Sequence, residues 1–312
     1  MSRNQPRNVA ASVLQKLRDW ARSQQENPDF VQTRYALERL LYRLSQSQHR
    51  DQFILKGAML FSIWNDEPHR ATRDMDLLGH GENTVSHLEK VFREICRVQV
   101  EDDGLEFKED TVQGKRIKEE QEYEGVRINL RALFAGTRTR SDLQIDIGFG
   151  DIVTPAPALV AFPTILGFPA FRLRTYTPET VVAEKFQAMV KLGIANSRMK
   201  DFYDLWFLSQ KFTFEGEVLA LALITTFDRR KTLVPSEAPL ALTPEFYEDS
   251  AKQKQWKAFM DKGNLRAEKK PLSEVVTILQ GFLMPPSQAI AKGEPFEMIW
   301  QPPGPWESGV HL

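Results

Sequence analysis

Asp74 and Asp76 stand one residue apart in the run Arg70-Ala71-Thr72-Arg73-Asp74-Met75-Asp76-Leu77-Leu78. On an extended backbone alternate side chains share a face, so the two carboxylates point together while Met75 and Leu77 point the other way, into a core. Two like charges held that close repel unless a cation lies between them, and the pair therefore reads as a divalent-metal site beside a phosphate-handling segment. A third carboxylate, Asp146, lies opposite the apolar row Leu143, Ile145, Ile147 and Phe149 and is expected to share a face with the pair. Three carboxylates on adjoining strands form a ligand set for two Mg²⁺ ions about 3.5–4 Å apart, one activating an attacking hydroxyl and one holding a triphosphate and its leaving pyrophosphate. Such transfer needs positioning and charge neutralisation more than covalent help. Gly57, at a helix start after Lys56, would let backbone N–H groups approach an anion, and Lys185 would add a fixed positive charge.

The elements that must carry these residues are legible by period. Residues 8–22 and 31–45 read as amphipathic helices separated by Asn27-Pro28-Asp29. Phe53-Ile54-Leu55 is a short strand ending at Lys56-Gly57, residues 58–64 a short helix, and the Asp-x-Asp run the next strand. Val126, Ile128, Leu130, Ala132 and Phe134 alternate along a further strand, joined antiparallel to 143–149 through a polar link at 135–141. Thr177-Pro178-Glu179 has the cap, proline and acid of a helix start, with the helix reaching Leu192 before Gly193; Arg198 opens another. Thr243-Pro244-Glu245 repeats the signal, and Ser273-Glu274 precedes an apolar helix through Leu283. Pro285, Pro286, Pro302, Pro303 and Pro305 predict an extended tail pinned by Trp300 and Trp306. The expected class is α+β: N-terminal helices over 1–50, a small mixed-sheet core over 51–176, and a helical domain with the tail over 177–312.

With 312 residues, 42% hydrophobic, the chain has enough apolar content for a real core, and a net charge of -1 gives no global field for nucleic acid. Charge is uneven: the first fifty residues are rich in arginine, from Arg3 and Arg7 to Arg50, whereas 101–124 leans acidic. Cys96, the one cysteine, excludes an internal disulfide and a cysteine zinc site and fits the cytoplasm. No apolar run approaches the roughly 20 residues of a membrane span. The five histidines show no ligand spacing and read as surface residues, and Phe202, Tyr203, Trp206 and Phe207 read as core.

Four ordered motifs resemble the AbiEii/AbiGii nucleotidyltransferase toxins, a group of the DNA polymerase β-like superfamily that includes the MenT toxins. They are Leu55-Lys56-Gly57-Ala58-Met59-Leu60, Arg70-x-Thr72-Arg73-Asp74-x-Asp76-Leu77, Ala183-Glu184-Lys185-Phe186-x-Ala188 and Arg198-x-Lys200-Asp201-x-x-Asp204. The resemblance implies a mixed-sheet nucleotidyltransferase core followed by a helical domain. It also implies transfer from a nucleoside triphosphate to an RNA acceptor, in several relatives the tRNA end, with a cognate antitoxin as partner. Metal binding by Asp74 and Asp76, triphosphate contact around Lys56 and Gly57, nucleotide contact by Lys185 and a further essential acid at Asp201 are implied by the same resemblance. One departure stands out: where many relatives have a second glycine followed by Ser or Thr, this chain has Ala58 and Met59, which removes a hydroxyl contact to phosphate. That departure supports the alternative of a catalytically weakened nucleotide- or protein-binding module. For an RNA end, Arg34, Arg39 and Arg43 on one helix are the expected basic surface.

Overall fold

A computed structural model describes residues 8–65, 72–119, 123–262 and 269–309; Arg3, Arg7, His69, Arg70 and His311 lie outside the described residues. The chain divides into two compact units, one made of 1–150 with 158–175 and the other of 151–157 with 176–312.

The first unit contains helices α1 (Val9–Ser23), α2 (Pro28–Gln46), α3 (Phe61–Trp64) and α4 (Val85–Cys96). Its strands are β1 (Phe53–Lys56), β2 (Asp74–Gly79), β3 (Leu105–Glu119), β4 (Tyr123–Phe134), β5 (Arg140–Phe149), β6 (Ala158–Phe162) and β7 (Phe171–Thr175). They form one mixed sheet in the order β3-β4-β5-β2-β1-β7-β6, with β2 parallel to β5 and antiparallel to β1. The even residues Val126 to Phe134 of β4 and the odd residues Leu143, Ile145 and Ile147 of β5 are buried together, as alternation predicts. α2 and α4 cover this apolar face: Tyr35 stacks on Phe134 at 6.5 Å, and Gly114 of β3 has no side chain because Val85 and Glu89 of α4 occupy that space. α2 begins at Pro28 rather than at 31, since the Asn27 side chain accepts from the Asp29 N–H at 2.8 Å and Pro28 fills the first helical position.

Two expectations for this unit are corrected. Arg39 and Arg43 are not a surface for RNA. Arg39 is fully buried with its guanidinium 2.8 Å from the buried Asp103, which also takes Arg43 at 2.6 Å. Arg34 pairs with Glu26 at 3.4 Å and lies over the Trp20 ring. The helical spacing of these arginines is legible in the sequence; their counter-ion lies 64 and 60 residues away, in a segment legible only as acidic. His49, likewise, is buried and not a surface residue, with Nε2 2.8 Å from Glu94.

The second unit holds α5 (Pro178–Leu192), α6 (Met199–Lys211), α7 (Gly216–Arg229), α8 (Pro244–Tyr247), α9 (Ser250–Lys262) and α10 (Leu272–Lys292), with a small sheet of β8 (Phe214–Glu215), β9 (Met298–Trp300) and β10 (Trp306–Ser308). Phe202, Tyr203, Trp206 and Phe207 are buried in it, Phe202 stacked on Phe246 at 5.2 Å. The Thr243 start yields only the four residues of α8, because Asp249 caps a new helix through its bonds to the Ala251 and Lys252 N–H groups. The extended tail does not begin at Pro285: both Pro285 and Pro286 lie inside α10. Proline cannot donate to the carbonyl four residues earlier. The Phe282 carbonyl left over by Pro286 accepts instead from the Trp306 indole at 2.9 Å. Trp300 donates similarly to the Ser209 carbonyl at 2.7 Å, so the two tryptophans do pin the tail.

The Arg39–Asp103–Arg43 cluster generates a stability prediction. Removing one partner of a buried ion group strands the others, so Asp103→Asn should lower unfolding free energy by about 3–5 kcal/mol in urea titrations. A loss below about 1 kcal/mol would mean that water already compensates these charges.

Candidate functional site

Strand pairing sets the geometry of the acidic face. Asp76 is the register partner of Lys56 on β1 and of Asp146 on β5, while Asp146 is opposite Arg127 on β4 and Arg127 opposite Lys115 on β3. Residues paired in this way point to the same side of a sheet. One row therefore runs Lys56, Asp76, Asp146, Arg127, Lys115 across five strands. Asp74 lies two residues along β2, opposite Gln144. Met75 and Leu77 are buried on the other side, as the alternation requires.

Asp76 is seated by Gly57. That residue leaves β1 with φ +72°, and a side-chain carbon placed on it would lie 2.0 Å from Asp76 Oδ2. Glycine serves two needs here: it adopts the left-handed backbone and it leaves the space the carboxylate occupies. From Gly57 the chain makes a 3-10 turn to Leu60 and then the single α-helical turn of α3, so few peptide dipoles align toward an anion. Lys56, expected beside the triphosphate, is largely buried, and Ala58 and Met59 are buried apolar residues with no hydroxyl to offer.

Asp146 does not stand open. Arg127 holds it in a two-pronged pair, Nε to Oδ1 and Nη2 to Oδ2, each 2.7 Å, and the Gln144 amide adds a bond at 3.3 Å. The hydrogen bonds to Asp146 first, and then the charges of Asp146, Asp74 and Asp76, raise the pKa of the Arg127 guanidinium above its ordinary value. Among the described residues no group of three or more His, Cys, Asp or Glu is arranged to hold a metal ion. The Asp74–Asp76 pair still suits a hard divalent cation, because Mg²⁺ commonly takes one or two protein carboxylates and completes its shell with water and substrate phosphate. The seat that Gly57 leaves for the Asp76 carboxylate fits that use.

In the second unit Lys185 of α5 lies 2.5 Å from Asp201 and 2.9 Å from Asp204, and Arg198 reaches Asp201 at 2.6 Å. Both aspartates are buried, so this is a lattice between two helices and not a solvated ion pair along one of them. Glu184, in the same motif, accepts from Tyr176 at 3.0 Å and lies 3.4 Å from Arg230, which also reaches Asp151 at 3.2 Å.

The sequence profile described as "Nucleotidyl transferase AbiEii toxin, Type IV TA system" matches residues 39–278, about three quarters of the chain. The chain belongs to the AbiEii nucleotidyltransferase toxin family. It is accordingly a nucleotidyltransferase, as its motifs implied. No curated protein sequence matches. Two solved structures from Helicobacter pylori are similar: JHP933, at 13% identity and a TM-score of 0.47 over 86% of this chain and 94% of the other; and a protein described as a candidate nucleotidyltransferase, at 14% identity and a TM-score of 0.44 over 84% and 95%.

The AbiEii match spans all four motifs, and the structure brings Lys56, Gly57, Asp74, Asp76 and Asp146 together on one face of the first unit and joins Lys185 to Asp201 in the second. Reading the sequence misses Arg127 and Gln144, because nothing local says which β4 residue will stand opposite Asp146. It also misses the Arg230 network, whose members lie far apart in the chain.

Gly57→Ala should destabilise the protein, and Asp76→Gly in that background should recover part of the loss by removing the opposing side chain, a coupling that denaturant unfolding of both single variants and the double variant measures. Additive losses would show that backbone strain alone makes glycine necessary. Lys185→Met should cost roughly 3 kcal/mol by taking the shared cation from two buried carboxylates, of which Asp201 keeps Arg198, and adding Asp204→Asn should restore part of it. Nucleotide binding by the double variant then reports any contact made by Lys185, separately from its effect on the fold.

Proposed function

We propose that this AbiEii family member is a Mg²⁺-dependent enzyme that moves a nucleotide from a nucleoside triphosphate to an RNA acceptor, with a tRNA 3′ end favoured, as the cytoplasmic toxin of a toxin–antitoxin pair. The observation that carries this reading is the placement of Asp74 and Asp76 on one sheet face, with Asp76 seated over Gly57 and flanked by Lys56 and Asp146 in register.

Asp74 and Asp76 would hold the metal. When bound, the ion supplies charge neutralisation for the triphosphate and lowers the pKa of an attacking hydroxyl. The chain's own residues do the rest. β2 fixes both carboxylates through pairing on each of its edges, and Arg127 keeps Asp146 oriented on the same face while offsetting its charge. Lys56 places a second positive charge in the row beside Asp76. Lys185 is assigned to the nucleotide and Asp201 to the further essential acid by their motifs. Asp201 and Asp204 fix the position of the ammonium and offset its charge. That no helix among the described residues is long and apolar enough to cross a membrane is compatible with the proposed location.

The test is incubation of purified protein with each labelled nucleoside triphosphate and total RNA, with and without a chelator. Label should enter RNA only with divalent metal present. Asp76→Asn should keep the fold and lose at least about a hundredfold in rate, a deficit of about 2.7 kcal/mol in transition-state stabilisation. Wild-type turnover by that variant would overturn the metal assignment. Nucleotide binding without turnover would instead point to the weakened module that Ala58 and Met59 suggest.

A further inference from the structure

Beyond the acidic row, the same face of the sheet stays open over β3, β4 and β5. The row containing Asp74 continues through Gln144, Asn129 and Gln113, three amides in register on successive strands, with Asn129 and Gln113 exposed and Gln144 half-buried. Basic residues lie on both sides of this amide row. Arg127 and Lys115 belong to the row of Asp76, and Arg131 and Lys108 to the row beyond, with Arg140 further along β5. α2 and α4 pack on the opposite face, so these polar residues line the side of the sheet turned away from both helices. Arg131 is balanced by Asp142 at 3.0 Å and Lys108 by Glu106 at 2.5 Å. Among the described residues Lys115 and Arg140 form no ion pair, and both are exposed.

We propose that this open face is the acceptor surface, and that a single-stranded RNA end lies across β3, β4 and β5 with its phosphates on the basic rows and its bases over the amide row. The inference rests on the RNA-acceptor reading above and adds where the strand runs. Charge complementarity favours a nucleic-acid occupant: five cations stand on this part of the face against the carboxylates Glu106, Asp142 and Asp146. The spacing of the chemistry favours a single strand. Phosphate contacts position a strand and carry no sequence information, whereas amides donate to and accept from the edges of bases that are not paired. Adjacent strands lie about 4.8 Å apart, so Lys115, three strands from Asp76, is about 14 Å from the acidic pair, within the reach of a few nucleotides. The row of Gln113, Asn129 and Gln144 leads straight to Asp74, so a strand running along it would present its terminal hydroxyl at the carboxylates.

Lys115→Gln with Arg140→Gln removes two unpaired exposed charges without stranding a partner. Lys16→Gln with Arg18→Gln, on the exposed side of α1, is a control of equal charge change. Binding of a short fluorescent single-stranded oligoribonucleotide is titrated from roughly 50 to 200 mM salt for wild type and both variants, with nucleoside triphosphate binding measured alongside. Each lost phosphate contact on a single strand flattens the slope of log K against log salt by about 0.7, so the sheet-face variant should lose about 1.4 in slope, with the control and the nucleotide affinity unchanged. Wild-type binding with the same slope in all three proteins overturns this surface and leaves the RNA reading standing. Nucleotide binding by wild type with no oligoribonucleotide binding at any salt overturns the acceptor reading itself.

Discussion

Asp76 and Asp146 face each other across two parallel strands, with Asp74 two residues away on the same side, and the mutual repulsion of these carboxylates is the constraint around which the sheet is arranged. At separations of a few ångströms near a protein surface, like charges oppose one another by several kcal/mol unless cations intervene. The protein's answer is positional. Lys56 closes the row on one side and Arg127 on the other, so the acids are bracketed by positive charge in the plane of the sheet. Arg127 does more than balance charge, because its planar fork engages both oxygens of Asp146 and thereby fixes the orientation of that carboxylate. Asp76 differs: its seat is shaped by the missing side chain of Gly57, a steric provision rather than an electrostatic one.

Arginine serves a different purpose behind the sheet. Arg39 and Arg43 converge on Asp103 in the interior, and Tyr35 donates to the Asp103 carbonyl at 2.8 Å. Rings lie against both guanidinium groups, Tyr42 and Phe168 on Arg39 and Phe107 on Arg43. Stacked, paired and hydrogen-bonded, such a cluster compensates part of the desolvation that an isolated buried charge suffers. Arg39 and Arg43 of α2 thus serve internal structure, whereas Lys115 of β3 and Arg140 of β5 are exposed on the acidic side of the sheet.

The parts of the fold that can be read from sequence are those whose signals are local. The cap-and-proline start at Thr177 and Pro178 gives α5 its first turn, and strict alternation gives β4 and β5. β3 escapes such a reading because its exposed alternate positions are filled with Glu, Lys and Arg, and because a shift of register between Lys108 and Gln113 breaks the period halfway along it. β6 and β7 are five residues each and take their stability from neighbours, so neither shows a pattern long enough to recognise. Pro285 and Pro286 mislead for a related reason: proline propensity is local, while the indole that satisfies the Phe282 carbonyl comes from 24 residues further on. Of the site, the Asp74–Asp76 pair and Gly57 are legible as types and spacing. The hold of Arg127 on Asp146 and the burial of the Lys185 lattice are not, since both depend on register or helix packing between distant segments.

Site and core are coupled through that register. β2 is the fourth of seven strands and is paired along both edges, to β1 through Leu55↔Leu77 and to β5 through Met75↔Ile145. Because side chains alternate with a period of two, a slip of one residue would turn Asp74 and Asp76 into the packed layer and Met75 and Leu77 out to solvent. The slipped arrangement would bury two carboxylates without partners and forfeit the burial of two large apolar side chains, each contributing about 1.5–3 kcal/mol. Hydrophobic burial on one face therefore fixes the position of the acids on the other. No loop needs to carry them, and the same apolar residues that hold the sheet to α2 and α4 set where the carboxylates stand.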